Sequence, residues 1–542
     1  MSPALSVILA THNRRPMLER CIQALERQTQ DPSSFELVVG DDGSSDGTVE
    51  MLRGLSTDFA LTALDLGKVG RAAARNAAIE AARGAICLVI DDDVIAEPEL
   101  VAAHLEAHRE RRIVGIGRLT QAPPDRPDWY SAQFTQTWNE HFDRLEGREV
   151  DWTACYAGNL SAPREALLEV GGFVERAAGE DLDIGYRLSR AGCAIRYLPR
   201  ARALHDDRKS CARLVADSLR QGSRQLDLLA DHPEMEAHLF GWFLATSRRE
   251  VALRRAMLAL RMPPRLLARL GRLLPGEGRR RIWFDFVSRY AFWLGTRSSV
   301  DRDRWERMTR GVPVLMYHAF GEREEGDRFV VSKRALNRQL LLLRLLRYRG
   351  IHFEDLVATL RERRLPLRRA VVITIDDGYL DNLEVAAELL RRHRFPATVY
   401  LVSAKLGGVN DWTREGALAG RPLLSWEQAG ELEKHGIRLG AHTRTHPQLP
   451  TRDDDEVTGE VSGSREDLST RLGAAITTFA YPYGLLDERA VDAVAEAGFA
   501  GACTVEPRLA GLQEDPLRVP RIEVRAEDSL FRFLLHLWLG AA

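Results

Sequence analysis

Residues 86–93 read Ile86-Cys87-Leu88-Val89-Ile90-Asp91-Asp92-Asp93, an apolar run that ends in three adjacent carboxylates. A short apolar run bounded by polar residues predicts a buried strand. Two earlier runs, 5–10 and 36–39, also end in polar turns, and the stretches 16–28 and 71–82 carry helical spacing. This alternation predicts an open, Rossmann-like α/β sheet, in which ligands bind beyond the carboxyl ends of the strands.

The composition is that of an ordinary globular protein, with 45% hydrophobic and 28% charged residues. A chain of 542 residues exceeds what one core usually organises, so we expect two or three domains. The net charge of −2 argues against a nucleic-acid partner. The 6 cysteines lack a C-x-x-C pair, which indicates reduced thiols. The N-terminus lacks the basic flank of a signal peptide and no apolar run reaches spanning length, so we expect a cytoplasmic protein.

The second half of the chain repeats the strand–helix alternation. Helical spacing covers 332–349 and 380–393, and the predicted strands are 312–317, 370–375, 397–402, 437–441, 476–480 and 501–505. Six such units predict a distorted (β/α) barrel, whose reactive groups belong at the strand C-termini. The predicted domains are therefore 1–235, a helical linker 236–310, and 311–542.

The predicted linker is rich in arginine up to Arg281 and then strongly aromatic over 283–293. A basic helix with apolar residues either lies on an anionic membrane surface or forms a helical hinge with a solvated basic face. On the first alternative the protein contacts the inner face of the membrane peripherally. The linker is the one feature that favours a non-enzymatic membrane scaffold. The clustered carboxylates elsewhere in the chain argue against that interpretation.

The Asp91–Asp93 carboxylates repel one another at the end of a buried strand. A hard divalent cation such as Mg²⁺ or Mn²⁺, together with bound phosphates, would compensate this repulsion. Alternate residues of an extended chain point to the same side, so Asp91 and Asp93 suit capture of one ion. The strand that precedes Asp41-Asp42-Gly43 ends in a second acidic turn, which makes a solvated acidic loop the weaker interpretation.

Over residues 5–222 these motifs resemble the family 2 glycosyltransferases of the GT-A fold. The resemblance implies a nucleotide-sugar donor with a UDP bias and a metal bound by Asp91 and Asp93, completed by His205. It also implies that Asp42 contacts the uracil, although Asp41 is an alternative. The other residues that it assigns to nucleotide-sugar binding are Thr11, Asn13, Arg14, Arg75, Asn76 and Asp92.

Gly179-Glu180-Asp181 resembles the motif whose aspartate deprotonates the acceptor hydroxyl in this family. Such a base is needed because an alcohol is a poor nucleophile at neutral pH, and in-line attack inverts the anomeric carbon. The structural alternative for Asp181 is a helix N-cap. Gln225 stands where processive synthases carry a tryptophan, so we expect a single transfer to a glycan or lipid-linked acceptor.

Two adjacent carboxylates, Asp376 and Asp377, end the apolar run 370–375, and His442 and His446 follow another predicted strand. One carboxylate and two imidazoles suit a tetrahedral zinc-type ion with one position open for water, which is the pattern of a catalytic site. Pro447 prevents a helix from carrying the histidine pair, so we expect it on a loop.

These motifs resemble the polysaccharide deacetylases of carbohydrate esterase family 4, the NodB-homology domains, over residues 312–524. The resemblance implies that Asp377, His442 and His446 bind Zn²⁺ or a similar metal. It makes Asp376 the general base for the water, and it places the backbone N–H of Tyr483 beside the oxyanion. The whole chain is then a bifunctional enzyme that transfers a sugar, an N-acetylhexosamine, and hydrolyses N-acetyl groups.

Two features depart from the deacetylase pattern. Ala480 stands where the family has an arginine, and Arg521 is the candidate to orient Asp376 in its place. The family's late acid would be His536, but an early Met316-Tyr317-His318 resembles the poly-N-acetylglucosamine deacetylase branch, so we predict that His318 is the general acid. Ala480 also favours an alternative in which only the glycosyltransferase is active and the second domain is a degenerate carbohydrate-binding scaffold.

Overall fold

The computed structural model describes all residues except 1, 110–111, 177, 323–327, 365 and 541–542, and the side chain of residue 248. The chain forms two compact units. Unit 1 comprises residues 1–231 and 257–299, and unit 2 comprises residues 232–256 and 300–542. The predicted linker 236–310 is thus divided between the two units. Among the described helices, none combines the length and apolar character needed to cross a bilayer.

Unit 1 is built on a mixed eight-stranded sheet in the order β3-β2-β1-β4-β7-β6-β8-β5. Strands β3, β2, β1 and β4 are parallel, whereas β7 runs antiparallel to β4 and β6. Both faces of the central strands are buried, because helices cover the sheet on each side. The strands are β1 (Leu5–Thr11), β2 (Phe35–Asp41), β3 (Ala60–Asp65), β4 (Ile86–Ile90), β5 (Val94–Ala96), β6 (Ile113–Gln121), β7 (Asn159–Pro163) and β8 (Ala194–His205).

The helices of unit 1 begin close to the polar strand ends. Those before residue 232 are α1 (Arg15–Leu25), α2 (Thr48–Gly54), α3 (Arg71–Ala81), α4 (Leu100–Ala107), α5 (Trp129–Leu145), α6 (Arg164–Glu169), α7 (Glu180–Arg190), α8 (Cys211–Arg224) and α9 (Leu228–Asp231). Later in the chain come α10 (Glu236–Phe240) in unit 2, α11 (Arg248–Leu260), which spans the boundary, and α12 (Pro264–Leu270) and α13 (Glu277–Ser299) in unit 1. The aromatic residues of α13, among them Phe284, Tyr290 and Trp293, are buried.

Unit 2 is an all-parallel sheet in the order β17-β16-β15-β14-β13-β9-β18, with β12 paired to β13. A parallel bridge between Cys503 and Val519 joins the two ends of this order, so the sheet nearly closes into a barrel. Its strands, with a separate pair β10 and β11, are β9 (Val314–Tyr317), β10 (Ala319–Phe320), β11 (Val330–Val331), β12 (Arg349–Ile351), β13 (Ala370–Ile375), β14 (Ala397–Leu401), β15 (Ile437–Ala441), β16 (Thr478–Ala480), β17 (Gly501–Cys503) and β18 (Ile522–Glu523).

Helices surround this sheet and bury its outer face in one large core. They are α14 (Arg302–Arg310), α15 (Lys333–Leu345), α16 (Phe353–Arg361), a π-helix (Asn382–Ala387), α17 (Glu388–His393), α18 (Trp426–Glu433), α19 (Asp454–Leu472), α20 (Glu488–Glu496) and α21 (Leu530–Leu539). The predicted fold class, an open α/β sheet followed by a distorted barrel, is confirmed. The predicted helix 332–349 ends at Leu345, because the chain leaves it to pair β12 with β13.

Two candidate active sites

The unit 2 site lies where the parallel strands β9, β13 and β15 end, with β14 between the last two. Asp376 and Asp377 directly follow β13, and His442 directly follows β15. Tyr317 of β9 lies opposite Ile375 in the sheet register, so the next residue, His318, lies beside Asp376. The backbone N–H of Asp376 also donates to the Tyr317 carbonyl at 2.9 Å. The strand order therefore brings together residues that are far apart in sequence.

Asp377, His442 and His446 form a buried triad. The Nε2 atoms of the two histidines are 3.2 Å apart, and they lie 3.6 and 3.4 Å from Asp377 Oδ1. Ligand bonds of about 2.0–2.2 Å in a tetrahedral centre separate the ligand atoms by roughly 3.3–3.6 Å. Asp377 Oδ1 has no hydrogen-bond partner among the described residues, although it is fully buried. An orphaned carboxylate oxygen facing two imidazole nitrogens fits a divalent metal.

The backbone carbonyl of Ala480 fixes the orientation of His442. The Nδ1 atom of His442 lies 2.7 Å from this carbonyl, which accepts from an N–H at that position. Nε2 is then the unprotonated nitrogen, and it faces Asp377. A second contact that fixes the tautomer of a ligand histidine is typical of metal sites.

Arg521 contacts Asp376, the contact expected of it because Ala480 stands where the deacetylase pattern has an arginine. Its guanidinium donates from Nη1 and Nη2 to both oxygens of Asp376, each at 2.7 Å, and from Nε to the Thr504 carbonyl at 2.9 Å. Both side chains are buried. Bidentate pairing of this kind holds a carboxylate in one orientation.

The two adjacent carboxylates titrate differently because only one has this partner. Burial alone would raise the pKa of Asp376, but the charges of Arg521 and His442 and the hydrogen bonds from Arg521 together outweigh it and lower that pKa to about 2. Burial, together with the charge of Asp376, raises the pKa of Asp377 to about 7. Burial also lowers the pKa of both His442 and His446. The imidazoles are therefore neutral at physiological pH, as metal ligation requires.

His318 and His536 lie in different surroundings. His318 lines the cavity that contains the triad, and its ring is 4.6 Å from the Phe329 ring. Burial lowers its pKa to about 4, against the opposing charge of Asp376. His536 does not line the cavity; its Nε2 contacts Asp528 Oδ2 at 2.9 Å. The loop before α21 brings Asp528 to His536, so this histidine has an acidic neighbour outside the cavity.

The cavity over the triad has a volume of about 710 Å³. Its walls include the aromatic rings of Phe329, Trp412 and Tyr483, the last two within 4.8 and 4.6 Å of the His446 ring. Flat apolar rings beside polar groups suit a sugar, whose C–H faces pack on aromatic rings while its hydroxyls bond to polar groups.

Several non-glycine residues of this site have a left-handed backbone conformation. Asp377, Thr443, His446 and Tyr483 have φ values of 73°, 64°, 63° and 58°. A non-glycine residue in this region costs of order 1 kcal/mol or more and persists only where the surroundings fix it. The strain therefore lies on the loops that carry the proposed ligands.

Sequence reasoning missed the residues that position the His318 segment. Asp381 accepts the backbone N–H of Phe320 at 2.6 Å and pairs with Arg421 at 2.7 Å. Asn382 donates to the carbonyl of His318 at 2.9 Å. The only sequence signal was that both follow closely on the Asp376-Asp377 pair; the long-range contacts depend on the topology.

The unit 1 site lies at the carboxyl ends of β1, β2, β4 and β8. Asp91, Asp93 and His205 place one ligand atom each within 4.8 Å of one another. The Nε2 atom of His205 is 3.2 Å from Asp93 Oδ1, which accepts no hydrogen bond that meets standard geometry. Two carboxylates and an imidazole around a buried, unsatisfied oxygen fit a hard divalent cation.

Two arginines approach the acidic triplet from different sides. Arg14 lies 2.8 Å from Asp92 Oδ1 and 2.6 Å from Asp93 Oδ2, and Thr11 also donates to Asp92 at 2.8 Å. Arg75 is buried and joins Asp91 to Glu180 at 2.6 and 3.2 Å. Burial raises the pKa of Asp92 to about 6 against the charge of Arg14, whereas His205 and Arg14 outweigh burial and lower the pKa of Asp93.

The acids at the end of β2 have different contacts. Asp42 Oδ1 accepts the backbone N–H groups of Val69 and Gly70, both at 2.7 Å, and so holds the loop before α3. Asp41 accepts Ser44 N–H at 2.8 Å through Oδ2, while its buried Oδ1 has no partner among the described residues. Asp41 therefore has the free acceptor that recognition of a base N–H requires.

Asp181 does not cap its helix. The N-cap of α7 is Gly179, with φ of 88°, and Asp181 is the second residue of the helix. Burial, opposed by Arg75 and assisted by Asp91, raises the pKa of Asp181 to about 6. The N-cap interpretation of Asp181 is therefore wrong. Its carboxylate instead has a raised pKa and interacts with Asp91 of the acidic triplet.

Asn13 and Asn76 lie in backbone contacts rather than in the cleft. Asn13, with φ of 53°, accepts Ser45 N–H at 2.7 Å and so connects the loops after β1 and β2. Asn76 uses both amide atoms on Phe173, donating to its carbonyl and accepting its N–H at 2.8 Å each. Asn76 thus positions the segment before α7.

A second wall of the unit 1 cleft was not predicted. A cavity of about 640 Å³ includes the acidic triplet, and one face of α5 contributes Tyr130, Phe134 and Trp138 to it. Helix α8 contributes Arg213 and Gln221. The aromatic residues recur every four positions, which places them on one side of a helix, and this spacing was the available signal.

Comparisons with known proteins match each unit separately. Residues 6–169 match the family model Glycosyl transferase family 2, and residues 364–502 match the family model Polysaccharide deacetylase. The validoxylamine A glucosyltransferase of Streptomyces hygroscopicus subsp. limoneus is 29% identical over 221 residues, which cover 35% of this chain and 49% of that protein.

A poly-beta-1,6-N-acetyl-D-glucosamine N-deacetylase of Staphylococcus aureus (strain MSSA476) is 21% identical over 231 residues, which cover 41% of this chain and 76% of that protein. Among solved structures, the mannosyltransferase PcManGT of Pyrobaculum calidifontis, in complex with GDP-Man and Mn²⁺, is 20% identical with a TM-score of 0.38. That match covers 54% of this chain and 88% of the other.

Proposed function

We propose that this chain, a bifunctional carbohydrate enzyme with a family 2 glycosyltransferase domain and a polysaccharide deacetylase domain, acts twice on one sugar. The first domain transfers an N-acetylhexosamine from a UDP-linked donor to a glycan or lipid-linked acceptor. The second removes the acetyl group from the transferred sugar. The observation that carries the proposal is that each unit has its own carboxylate–imidazole triad at strand C-termini.

In the transferase site, Asp91, Asp93 and His205 would hold Mg²⁺ or Mn²⁺, which balances the charge of the donor diphosphate. Arg14 lies against Asp92 and Asp93 and is proposed to reach a donor phosphate. Asp41 supplies the acceptor oxygen for the base, and Asp42 keeps the loop before α3 in place. These contacts fix the donor before the acceptor reacts.

Asp181 then takes the proton of the acceptor hydroxyl. Its raised pKa, near 6, still leaves it ionised at neutral pH while making it a stronger base than an ordinary carboxylate. Attack from the side of this base gives inversion at the anomeric carbon. Glu180 does not share this role, because it is paired with Arg71 and Arg75.

In the deacetylase site, Asp377, His442 and His446 would hold Zn²⁺ or a similar metal, which polarises both the attacking water and the acetyl carbonyl. Asp376, kept ionised and oriented by Arg521, accepts the proton of that water. The backbone N–H of Tyr483 is the group proposed to stabilise the oxyanion.

His318 donates the proton to the departing amine. Its pKa, lowered to about 4, leaves it neutral before the reaction. The negative charge that develops on the acetyl group favours the charged imidazole. The proton that Asp376 took from the water therefore passes to His318, and His318 gives it to the amine as the C–N bond breaks. The pairing of Arg521 with Asp376 supports an active second domain over a degenerate one, since an arginine from another loop contacts Asp376 although position 480 is alanine.

The donor and acceptor are tested together by incubating the purified chain with a panel of UDP-sugars, Mg²⁺ or Mn²⁺, and either soluble glycans or a lipid extract. We expect an N-acetylhexosamine to be added and a product lighter by one acetyl group to follow, both read by mass spectrometry. If the sugar is transferred but no acetyl group is removed with any metal tried, the transferase activity is supported and the deacetylase activity is contradicted. Since sugar nucleotides are cytosolic, we propose that both reactions take place in the cytoplasm.

A further inference from the structure

The segment 264–273 of unit 1 has one face fixed on the rest of the unit. Its buried residues include Leu267 and Gly271. Trp283 Nε1 donates to the Leu267 carbonyl at 2.8 Å. Gly271 allows close approach of Trp129, since a Cβ at this position would lie 2.2 Å from the Trp129 ring. The segment is therefore firmly held, and its outer faces present a defined surface.

One outer face of this segment carries a stripe of leucines. Leu266, Leu270 and Leu273 are 46%, 42% and 71% exposed, and their spacing of four and three residues places them on one side of a helical segment. Leu260, the last residue of α11, and Ile282, in the second turn of α13, are also more than two thirds exposed. Large apolar side chains clustered on an exposed surface mark an interaction site.

The adjacent outer face carries arginines with the same spacing. Arg265, Arg269 and Arg272 are exposed and form no ion pair with any residue that the structure describes. They line a cavity of about 350 Å³ together with Trp129 and Cys211. Asp128, which also lines it, uses one carboxylate oxygen to cap α5 through the N–H groups of Tyr130 and Ser131. The three guanidinium groups therefore remain available to an external anion.

We propose that this leucine–arginine surface, formed by Leu266, Leu270, Leu273, Arg265, Arg269 and Arg272, docks on a membrane containing anionic phospholipids. Leucines beside unpaired arginines match the boundary between acyl chains and phosphate groups. Guanidinium groups bind phosphate oxygens in pairs, so the cavity suits a headgroup phosphate. A nucleic acid would use the arginines but would leave the leucines in water.

The surface also suggests the class of acceptor, an inference that rests on the proposed transfer reaction. Trp129 lines the arginine cavity and the next residue, Tyr130, lines the transferase cleft. Likewise Ala212 lines the former and Arg213 the latter. The two cavities thus share the N-terminal ends of α5 and α8. A docked membrane would deliver an acceptor with a lipid anchor and a polar head directly beside the acidic triplet.

The test is sedimentation of the full chain with vesicles of phosphatidylcholine alone or of equal parts phosphatidylcholine and phosphatidylglycerol. We expect binding to the anionic vesicles only, and weaker binding as salt screens the arginines. Leu270→Glu/Leu273→Glu should lower the partition coefficient at least about tenfold. Each of Arg265→Ala, Arg269→Ala and Arg272→Ala should lower it roughly fivefold. The matched controls are Leu345→Glu and Arg392→Ala, exposed residues of unit 2 that should bind vesicles like the unchanged protein.

Donor hydrolysis and transfer to a soluble acceptor are measured on the same preparations, and both should be unchanged in the surface variants. If the protein is active but does not bind anionic vesicles, the proposed membrane-binding surface is contradicted while the proposed function is unaffected. Equal vesicle binding by Leu270→Glu/Leu273→Glu and the unchanged protein would also contradict this surface. Retention of the chain on a single-stranded oligonucleotide, without vesicle binding, would assign the arginines to nucleic acid instead.

Discussion

At the residue scale, side chains of the same type in unit 2 have different contacts. Asp376 and Asp377 are adjacent, yet Arg521 pairs with the first and leaves the second facing two imidazoles. His318 and His536 are both histidines at the ends of predicted motifs, yet only His318 lines the cavity. Identity of residue type therefore does not decide the role; the contacts do.

The general acid can be assigned by comparing two variants. His318→Ala should lower deacetylation turnover by about 10²–10⁴-fold, because general-acid assistance is worth that much. It should retain the metal, since His318 lies outside the triad. His536→Ala should deacetylate normally but lose stability by roughly 1–3 kcal/mol, because the buried Asp528 loses one of the groups that contact its carboxylate. Acetate release, metal content and thermal unfolding are measured on both. A severe loss of turnover in His536→Ala with a mild one in His318→Ala would reverse the assignment.

The transferase base is tested by Asp181→Asn. The amide keeps the shape of the side chain but cannot accept a proton, so turnover should fall while donor binding stays within a few-fold. Since Gly179 is the N-cap, this change should leave the stability of α7 nearly unaltered. Glu165→Gln, an exposed acid in the first turn of α6, is the matched control. Near-normal turnover in Asp181→Asn would place the base elsewhere.

At the element scale, the strand ends were predictable and the contacts between elements were not. Apolar runs ending in Asp91–Asp93, Asp376-Asp377 and His442 identify β4, β13 and β15 from local pattern alone. The Asp381–Arg421 pair and the choice between Asp41 and Asp42 depend on loops that only the folded topology brings together. Similarly, an arginine-rich helical pattern does not reveal which core a helix joins.

Helices α8 and α13 are one such contact between elements. They pack closely because each has a glycine where it meets the backbone of the other helix. A Cβ at Gly222 would lie 1.9 Å from the Phe292 carbonyl oxygen, and one at Gly295 would lie 2.1 Å from that of Leu219. Gly222→Ala and Gly295→Ala should each destabilise unit 1 by about 1–3 kcal/mol, since backbone atoms cannot move aside cheaply. Calorimetry should show the unfolding of unit 1 shifted down by about 2–4 °C for each kcal/mol. Gly54→Ala, with open space around the new methyl group, is the control, and an equal shift there would contradict the crossing as the cause.

At the scale of the whole molecule, the chain carries two complete sets of reactive groups, each within one unit. The predicted division into two domains and a linker corresponds to two compact units that share the linker residues between them. Both candidate triads, and the pairs of Arg75 with Asp91 and of Arg521 with Asp376, lie within a single unit. Losing one site should therefore leave the chemistry of the other intact.

Variants of the two triads test this independence in both directions. Asp377→Ala should lose its metal and its acetate release while transferring sugar normally, because removal of one ligand removes the polarised water of that site only. Asp91→Asn should weaken metal-dependent donor binding while still deacetylating a sugar that is supplied ready-made. A chelator should stop both reactions in the unchanged protein, and restoring a divalent metal should restore them.

Three measurements on the same samples distinguish the two activities. Transfer is measured as nucleotide released, deacetylation as acetate released, and metal content by elemental analysis. If Asp377→Ala released acetate at the normal rate, the triad would not be the deacetylase centre; if it also lost sugar transfer, the two units would not act independently.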